Sequence, residues 1–137
     1  MQHESSLKSA CNKCIQDAQT CIDACQKLIP MCAPVSEETK CAKQLALSVS
    51  AGAQAIEACK QCINHCNIHL QECTDEECCA AVEHCIKACS ANIEHIQSMI
   101  DSCKGGKEDC AQACISCINV CKECIDSCKA LLECCCC

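Results

Sequence analysis

The sequence predicts an all-α fold: an antiparallel, up-down-up-down four-helix bundle with a cysteine-lined core, built as a single domain over residues 1–137. Three observations predict it. Helix breakers divide the chain into four segments. Each segment repeats small or apolar residues at alternating steps of three and four, as a helix does when it buries one face. Beside that seam a second, aliphatic stripe recurs at a fixed offset, which widens the face to that of a core-facing bundle helix.

The first helix is expected near 6–29. Its seam reads Cys11, Cys14, Ala18, Cys21, Cys25, Leu28 and Cys32, and Pro30 and Pro34 bracket its end. The second is expected over 36–73, restarting at Ser36 with Glu37 and Glu38 in its first turn. Its seam is Cys41, Leu45, Ser48, Gly52, Ala55, Cys59, Cys62, Cys66, His69 and Cys73. This segment is longer than its partners, so Gly52, with Ser48 and Ser50 nearby, predicts a bend or a thinner helix–helix contact. The third helix is expected over 75–104, opened by Thr74-Asp-Glu-Glu77 read as a capping box and closed by Gly105-Gly106. Its seam is Cys78, Val82, Cys85, Cys89, Asn92, Ile96, Met99 and Cys103. The fourth is expected over 107–133. There Cys110, Cys114, Cys117, Cys121, Cys124 and Cys128 follow at gaps of 4, 3, 4, 3 and 4, and Leu131 and Cys135 continue the seam.

The aliphatic stripe holds Ile15, Ile22 and Ile29, then Val49, Ile56, Ile63 and Leu70. It continues with Ile86, Ile93 and Ile100, and with Ile118, Ile125 and Leu132. Short connections between segments make neighbouring helices antiparallel.

Twenty-five of the 137 residues are cysteine, and twenty-one of them fall in the four seams. A lone buried cysteine is a small hydrophobe; twenty-one in register are a device. There is no Phe, Trp or Tyr, so the usual large contributors to core burial are missing. Thiols, Ile, Leu and Ala must fill the interior, and bound metal is expected to stiffen it. A net charge of −7, with neither a basic stripe nor stacking aromatics, excludes nucleic acid as a partner. No run approaches the ~20 apolar residues of a membrane helix, and the first residues lack the apolar stretch of a secretory signal. The expectation is a cytoplasmic protein without a membrane partner, in a compartment that keeps thiols reduced.

Spacing points the thiols towards metal. On a helix, side chains at i,i+3 and i,i+4 have Cβ atoms roughly 5–6 Å apart, whereas a disulfide needs roughly 3.8 Å. Two sulfurs on opposite sides of one ion, each about 2.2–2.3 Å from it, lie about 4.5 Å apart. Candidate chelating pairs are therefore Cys11/Cys14, Cys59/Cys62, Cys114/Cys117 and Cys121/Cys124. Further pairs are Cys21/Cys25, Cys62/Cys66, Cys85/Cys89, Cys110/Cys114 and Cys124/Cys128. Soft thiolates select Cu(I), Zn(II) and Fe–S clusters, and charge favours the first. A Cu⁺ replacing one thiol proton adds no charge, while each zinc bound by four thiolates leaves −2 in a narrow core. Many Cu(I) ions per chain are the expected cargo.

CxxC and CxxxC steps on every helix resemble the bacterial copper storage proteins, a family of Cys-rich four-helix bundles. The likeness covers residues 10 to about 130 and rests on Cys11-Asn-Lys-Cys14, Cys59-Lys-Gln-Cys62-Ile-Asn-His-Cys66, Cys85-Ile-Lys-Ala-Cys89 and the run from Cys110 to Cys128. The resemblance implies many Cu(I) ions inside the bundle, assembly into homo-oligomers, and the cytosolic branch of the family. A copper chaperone or small thiols would be the donors. It also implies an uptake role for His or Met at an open mouth, which makes His69 and Met99 candidates, with His65 beside them. His3, His84 and His95 are expected to face solvent. The chain departs from the family in lacking aromatics and in ending on Cys134, Cys135, Cys136 and Cys137, of which only Cys135 continues a seam. These tail thiols and Cys79 are secondary candidates for metal binding or loading.

Two other readings stay open. A metallothionein-like buffer for zinc or cadmium would use the same thiols, but metallothioneins are loop-dominated. A thiol oxidoreductase would use the CxxC pairs, but these sit in mid-helix and not at an exposed helix N-terminus, where thiolates become nucleophilic. A non-enzymatic role is expected.

Overall fold

The seams become four helices: α1 (Gln2–Cys32), α2 (Glu38–Glu72), α3 (Glu76–Lys104) and α4 (Cys110–Cys135). The structure, a computed structural model, describes residues 2–32, 38–105 and 110–135, with side chains for 7–31, 42–105 and 110–134. Each helix packs on its two sequence neighbours, and α1 closes the ring on α4. The register is antiparallel at every seam. Cys11 and Cys14 meet Cys62 and Cys59, and Cys85 and Cys89 meet Cys128 and Cys124. Cys62 meets Cys85 across α2–α3, and Cys21 meets Cys117 across α1–α4. This is the up-down-up-down bundle.

Helix ends differ from expectation in three places, the first being that α1 begins at Gln2 and not near residue 6. α1 runs through Pro30 to Cys32 instead of stopping before it. The proline forfeits one backbone bond to the carbonyl four residues earlier, but it sits in the last turn, where little helix remains to be broken. The cap of α3 is Asp75, not Thr74: its carboxylate accepts from the backbone N–H of Glu77 at 3.2 Å. A carboxylate does this well because it also meets the positive end of the helix dipole. At the other end of α3 the Gly105 N–H donates to the Asp101 carbonyl at 3.0 Å.

α2 is one unbroken helix, and Gly52 serves as the thinner contact. A Cβ placed there would lie 3.0 Å from Ile96 Cγ2, 3.1 Å from Met99 Cε and 3.2 Å from Ile100 Cδ1. The missing side chain lets α3 approach α2 closely. Ser48, one turn away and buried, donates its hydroxyl to the Ala24 carbonyl of α1 at 3.1 Å. Both stripes face inward. The seam residues are buried with few exceptions, and Ile22, Ile56, Ile100, Ile118 and Ile125 of the second stripe are buried beside them. Ile15, Ile29, Val49, Ile63, Leu70, Ile86, Ile93 and Leu132 are half-buried and packed on the core. Among the described residues, no helix is long and apolar enough to cross a membrane.

Candidate metal centre

The thiol–thiol hydrogen bonds of 3.3–4.0 Å that link the seam cysteines run between two different helices. Pairs along one helix were expected to be the chelates; the close pairs lie across helices instead. The reason is geometric. Four seams point at one axis, so side chains from facing helices converge while neighbours on one helix stay a turn apart. Cys62/Cys66 and Cys117/Cys121 do join donor groups, each completed by a third sulfur from another helix, Cys85 and Cys21 respectively.

The contacts sort into two sets. The first holds Cys11, Cys14, Cys59, Cys62, Cys66, Cys85, Cys89, Cys124 and Cys128, nine thiols drawn from all four helices. Cys14 lies 3.6 Å from Cys59 and 3.7 Å from Cys124, and Cys89 lies 3.6 Å from Cys124. Two four-sulfur groups arise here, Cys14/Cys59/Cys89/Cys124 and Cys14/Cys62/Cys89/Cys128. Sulfurs about 2.3 Å from a central ion are about 4.0 Å apart in a trigonal arrangement and about 3.8 Å apart in a tetrahedral one. The observed spacings accommodate either. The second set holds Cys21, Cys25, Cys103, Cys110, Cys114, Cys117 and Cys121, seven thiols that come from α1 and α4 except for Cys103. Its shortest contact is Cys103 to Cys110, 3.3 Å, between the last turn of α3 and the first of α4. Met99 is buried beside it, and its sulfur accepts from the Cys103 thiol at 3.7 Å.

Protons are shared unequally within these sets. Hydrogen bonds from Cys11, Cys128 and other neighbours hold Cys62 far below the ordinary thiol range, and those from Cys128 and Cys14 do the same for Cys124. Cys85 is pulled down to about 2 by Cys11 and Cys128, and Cys121 to about 5 by Cys117 and Cys21. Their partners move the other way. Cys89 and Cys14 are raised, foremost by the hydrogen bond to Cys124, Cys66 by Cys62 and Cys117 by Cys121. A buried thiolate is thus stabilised by thiol donors around it, and the raised sulfurs keep their protons until a metal displaces them.

At the α2–α3 turn a third group gathers His69, Cys73 and Cys78, with His69 Nε2 3.4 Å from the Cys78 sulfur. Cys78 is disulfide-bonded, unlike the other described seam cysteines, which are free. The helical-spacing argument against disulfides covers pairs within one helix, and Cys78 stands in the first turn of α3, where the chain has just left a turn. Cys79 donates to the Cys73 carbonyl at 3.6 Å, and its hydrogen bond with Cys73 pushes it up to about 11. Cys134 is half-buried against the nine-thiol cluster. His65 lines a surface groove with Lys13, Asp17 and Glu57, outside the thiol column, and His84 and His95 are exposed. The side chains of His3, Cys32, Cys41 and Cys135, and all of Cys136 and Cys137, lie outside the described residues.

One site residue had no role in the sequence reading. Asn92 is fully buried among the thiols, donates its amide to Cys59 Sγ at 3.5 Å and also hydrogen-bonds Cys121. The available signal was a polar residue at a seam position. Comparison of the chain with protein-family models, with curated proteins and with solved structures gave no match.

Proposed function

We propose that this protein stores and buffers Cu(I), binding many ions through the thiols that line its bundle, without catalysing a reaction. The observation that carries the reading is a sulfur-lined interior in which, among the described residues, no cation is buried. Among those residues the buried polar or charged side chains are Asp17, Ser48, Asn92 and Ser127, with no Lys, Arg or His. A thiolate core that took up divalent ions would collect negative charge with nothing to offset it, at a desolvation cost of several kcal/mol per ion. Cu⁺ exchanged one-for-one with protons keeps the same core neutral. Contacts of 3.6–4.0 Å between many sulfurs also suit an ion content with two or three sulfurs each and bridging thiolates.

The zinc or cadmium reading draws on the two four-sulfur groups, which a tetrahedral ion would fit. They share Cys14 and Cys89, so they cannot both hold a separate mononuclear ion. That limits zinc to few sites in an interior that offers far more sulfur. The deciding experiment is an anaerobic Cu(I) titration against a competing chelator. Storage predicts saturation near one ion per core thiol, roughly 16–20 per chain. Saturation at four to six ions would support isolated tetrathiolate sites and end the storage reading. The same reading places the protein in a reducing cytoplasm, with a copper chaperone or small thiols as donors and homo-oligomers as the assembled form. It leaves the CxxC pairs without a redox role.

A further inference from the structure

The α2–α3 turn joins an imidazole to its sulfurs. His69 and Cys73 stand four residues apart, and the Cys73 N–H donates to the His69 carbonyl at 3.0 Å, so a helical bond just past Glu72 sets their spacing. Cys78 stands in the first turn of α3, which Asp75 caps. Three candidate ligands therefore fall within residues 69–78, and their donor atoms all lie within 4.8 Å of one another. The group needs only the turn and the helix ends beside it. No Lys or Arg occurs between residues 61 and 86, and Glu72, Asp75, Glu76 and Glu77 are exposed around the turn. That field favours the approach of a cation.

Distance and charge say which cation. His69 Nε2 is 3.4 Å from the Cys78 sulfur. Around a tetrahedral zinc ion, a nitrogen at about 2.0–2.1 Å and a sulfur at about 2.3 Å lie about 3.6 Å apart; across a linear two-coordinate ion with the same bonds they lie about 4.3 Å apart. The observed separation fits the first. A neutral imidazole with two thiolates balances a divalent ion, whereas Cu(I) on the same ligands leaves a net negative charge. Cys73 is half-buried, so solvent can fill the fourth position of the tetrahedron. The Cys73 thiol donates to the Asp75 carbonyl at 3.5 Å and so carries a proton that a metal must displace. Cys78 enters the group as a disulfide sulfur, and its bridge is to neither Cys73 nor Cys79, which are free. The thiolate is the metal ligand, so the group lacks its third donor while that bond stands.

We propose that His69, Cys73 and Cys78 form a redox-gated site for one Zn²⁺ ion, separate from the thiol core. Small thiols open it by exchange. Two of them give up two electrons and two protons and leave as one small disulfide, while Cys78 and its bridging partner become thiols. Zn²⁺ then displaces one proton from Cys73 and one from Cys78 and takes the lone pair of His69 Nε2. The bound ion clips the end of α2 to the start of α3. A small disulfide reverses the exchange: the Cys78 bond re-forms, two protons are taken up, two small thiols depart and the ion is released.

This inference goes beyond the Cu(I) reading, and one experiment keeps the two apart. The full chain is saturated anaerobically with Cu(I), with or without prior reduction by a phosphine, then given excess Zn²⁺ and desalted, and both metals are counted by mass spectrometry. The reduced chain should retain about one Zn²⁺ and the unreduced chain none. His69→Ala and Cys78→Ser should each abolish zinc retention after reduction, with circular dichroism as the folding check. Co²⁺ in place of zinc should give tetrahedral visible bands and a sulfur-to-metal charge-transfer band in the reduced chain only. Equal zinc with and without reduction would overturn the proposal, as would zinc kept by His69→Ala. If a variant does not fold, a Co²⁺ spectrum of the unaltered chain that reduction leaves unchanged overturns it. A further Cu(I) gained on reduction, with no zinc, would overturn the divalent assignment. A copper endpoint of only four to six ions would end the storage reading and leave the zinc count to stand or fall by itself.

Discussion

The two halves of the bundle solve one packing problem in opposite ways. Around Cys14 all four helices contribute thiols, so a sulfur meets sulfurs from three other helices: Cys59, Cys89 and Cys124 all lie within 4.0 Å of Cys14. Around Cys117 the described thiols come from α1 and α4, joined by Cys103 of α3, while the buried Gly52, Ser48, Ile96 and Met99 of α2 and α3 carry none. The first half is a closed sulfur cage; the second is a sulfur wall against an ordinary core. The same heptad frame can therefore carry metal-donor clusters or ordinary packing, depending on which residue fills each seam position.

Breaking the cage should have the largest effect. Cys14 and Cys89 belong to both four-sulfur groups. Replacing both with serine should remove several Cu(I) ions from the titration endpoint, more than any other pair. The same exchange at Cys25 and Cys114, in the wall, should remove fewer. An equal loss from both pairs would mean that the halves do not differ as ligand sets.

Next in size is the stiffening by metal. With sulfur replacing aromatics in the core, the metal-free protein should be helical but of modest stability, and melting followed by circular dichroism should shift upward with each increment of Cu(I). The shift should saturate with capacity. A random-coil spectrum without metal would show that the aliphatic stripes alone cannot hold the frame.

In the wall half, Gly52→Ala should destabilise the metal-free protein. The better helix propensity of alanine is worth up to about 1 kcal/mol, but an added methyl would press on three side chains at 3.0–3.2 Å. Overpacking of that kind costs about 1–3 kcal/mol, so the net change should be unfavourable, read from the denaturation midpoint. Copper capacity should hold, because no ligand is touched. In the turn beside the cage, Asp75→Ala should cost about 1 kcal/mol through loss of the α3 cap, while Thr74→Ala should be near neutral.

pH should act on both halves with the same sign. Several set members, Cys14, Cys66, Cys89 and Cys117 among them, are raised by their thiol partners and are protonated at neutral pH. Loading should then release protons, fewer than one per Cu(I) because Cys62, Cys85, Cys121 and Cys124 are already held low, and affinity should fall as pH falls because protons compete for the same sulfurs. Cys121, held down to about 5 by Cys117 and Cys21, keeps its thiolate until acid below that point. It should be among the last wall ligands surrendered. A pH-stat titration measures the stoichiometry directly, and no proton release would contradict the protonation pattern.

The fold was legible because seam spacing is a property of the backbone: Cys110 to Cys128 could only line one face of a helix. The site was legible in membership and not in pairing. Periodicity says which face Cys11 and Cys14 share, but rotamers at a crowded axis decide that Cys11 meets Cys62 and Cys14 meets Cys59. Local chemistry misled at the ends. Thr74 and Asp75 both cap well, and only backbone geometry chooses Asp75; Pro30 reads as a stop until it proves to be the last turn. The disulfide at Cys78 was not readable from spacing, since it depends on three-dimensional approach at a helix end. Asn92 was visible as a polar seam residue, but its partner, the Cys59 sulfur on α2, depends on how the helices meet.

The central claim is that the thiol column holds Cu(I), and the metal content of the protein purified anaerobically from copper-fed cells tests it most directly. The account predicts copper in large excess over zinc, in the monovalent state and without a visible ligand-field band, at more than ten ions per chain, as roughly one ion per core thiol requires. Zinc outnumbering copper under those conditions would contradict the metal assignment while leaving the four-helix bundle in place.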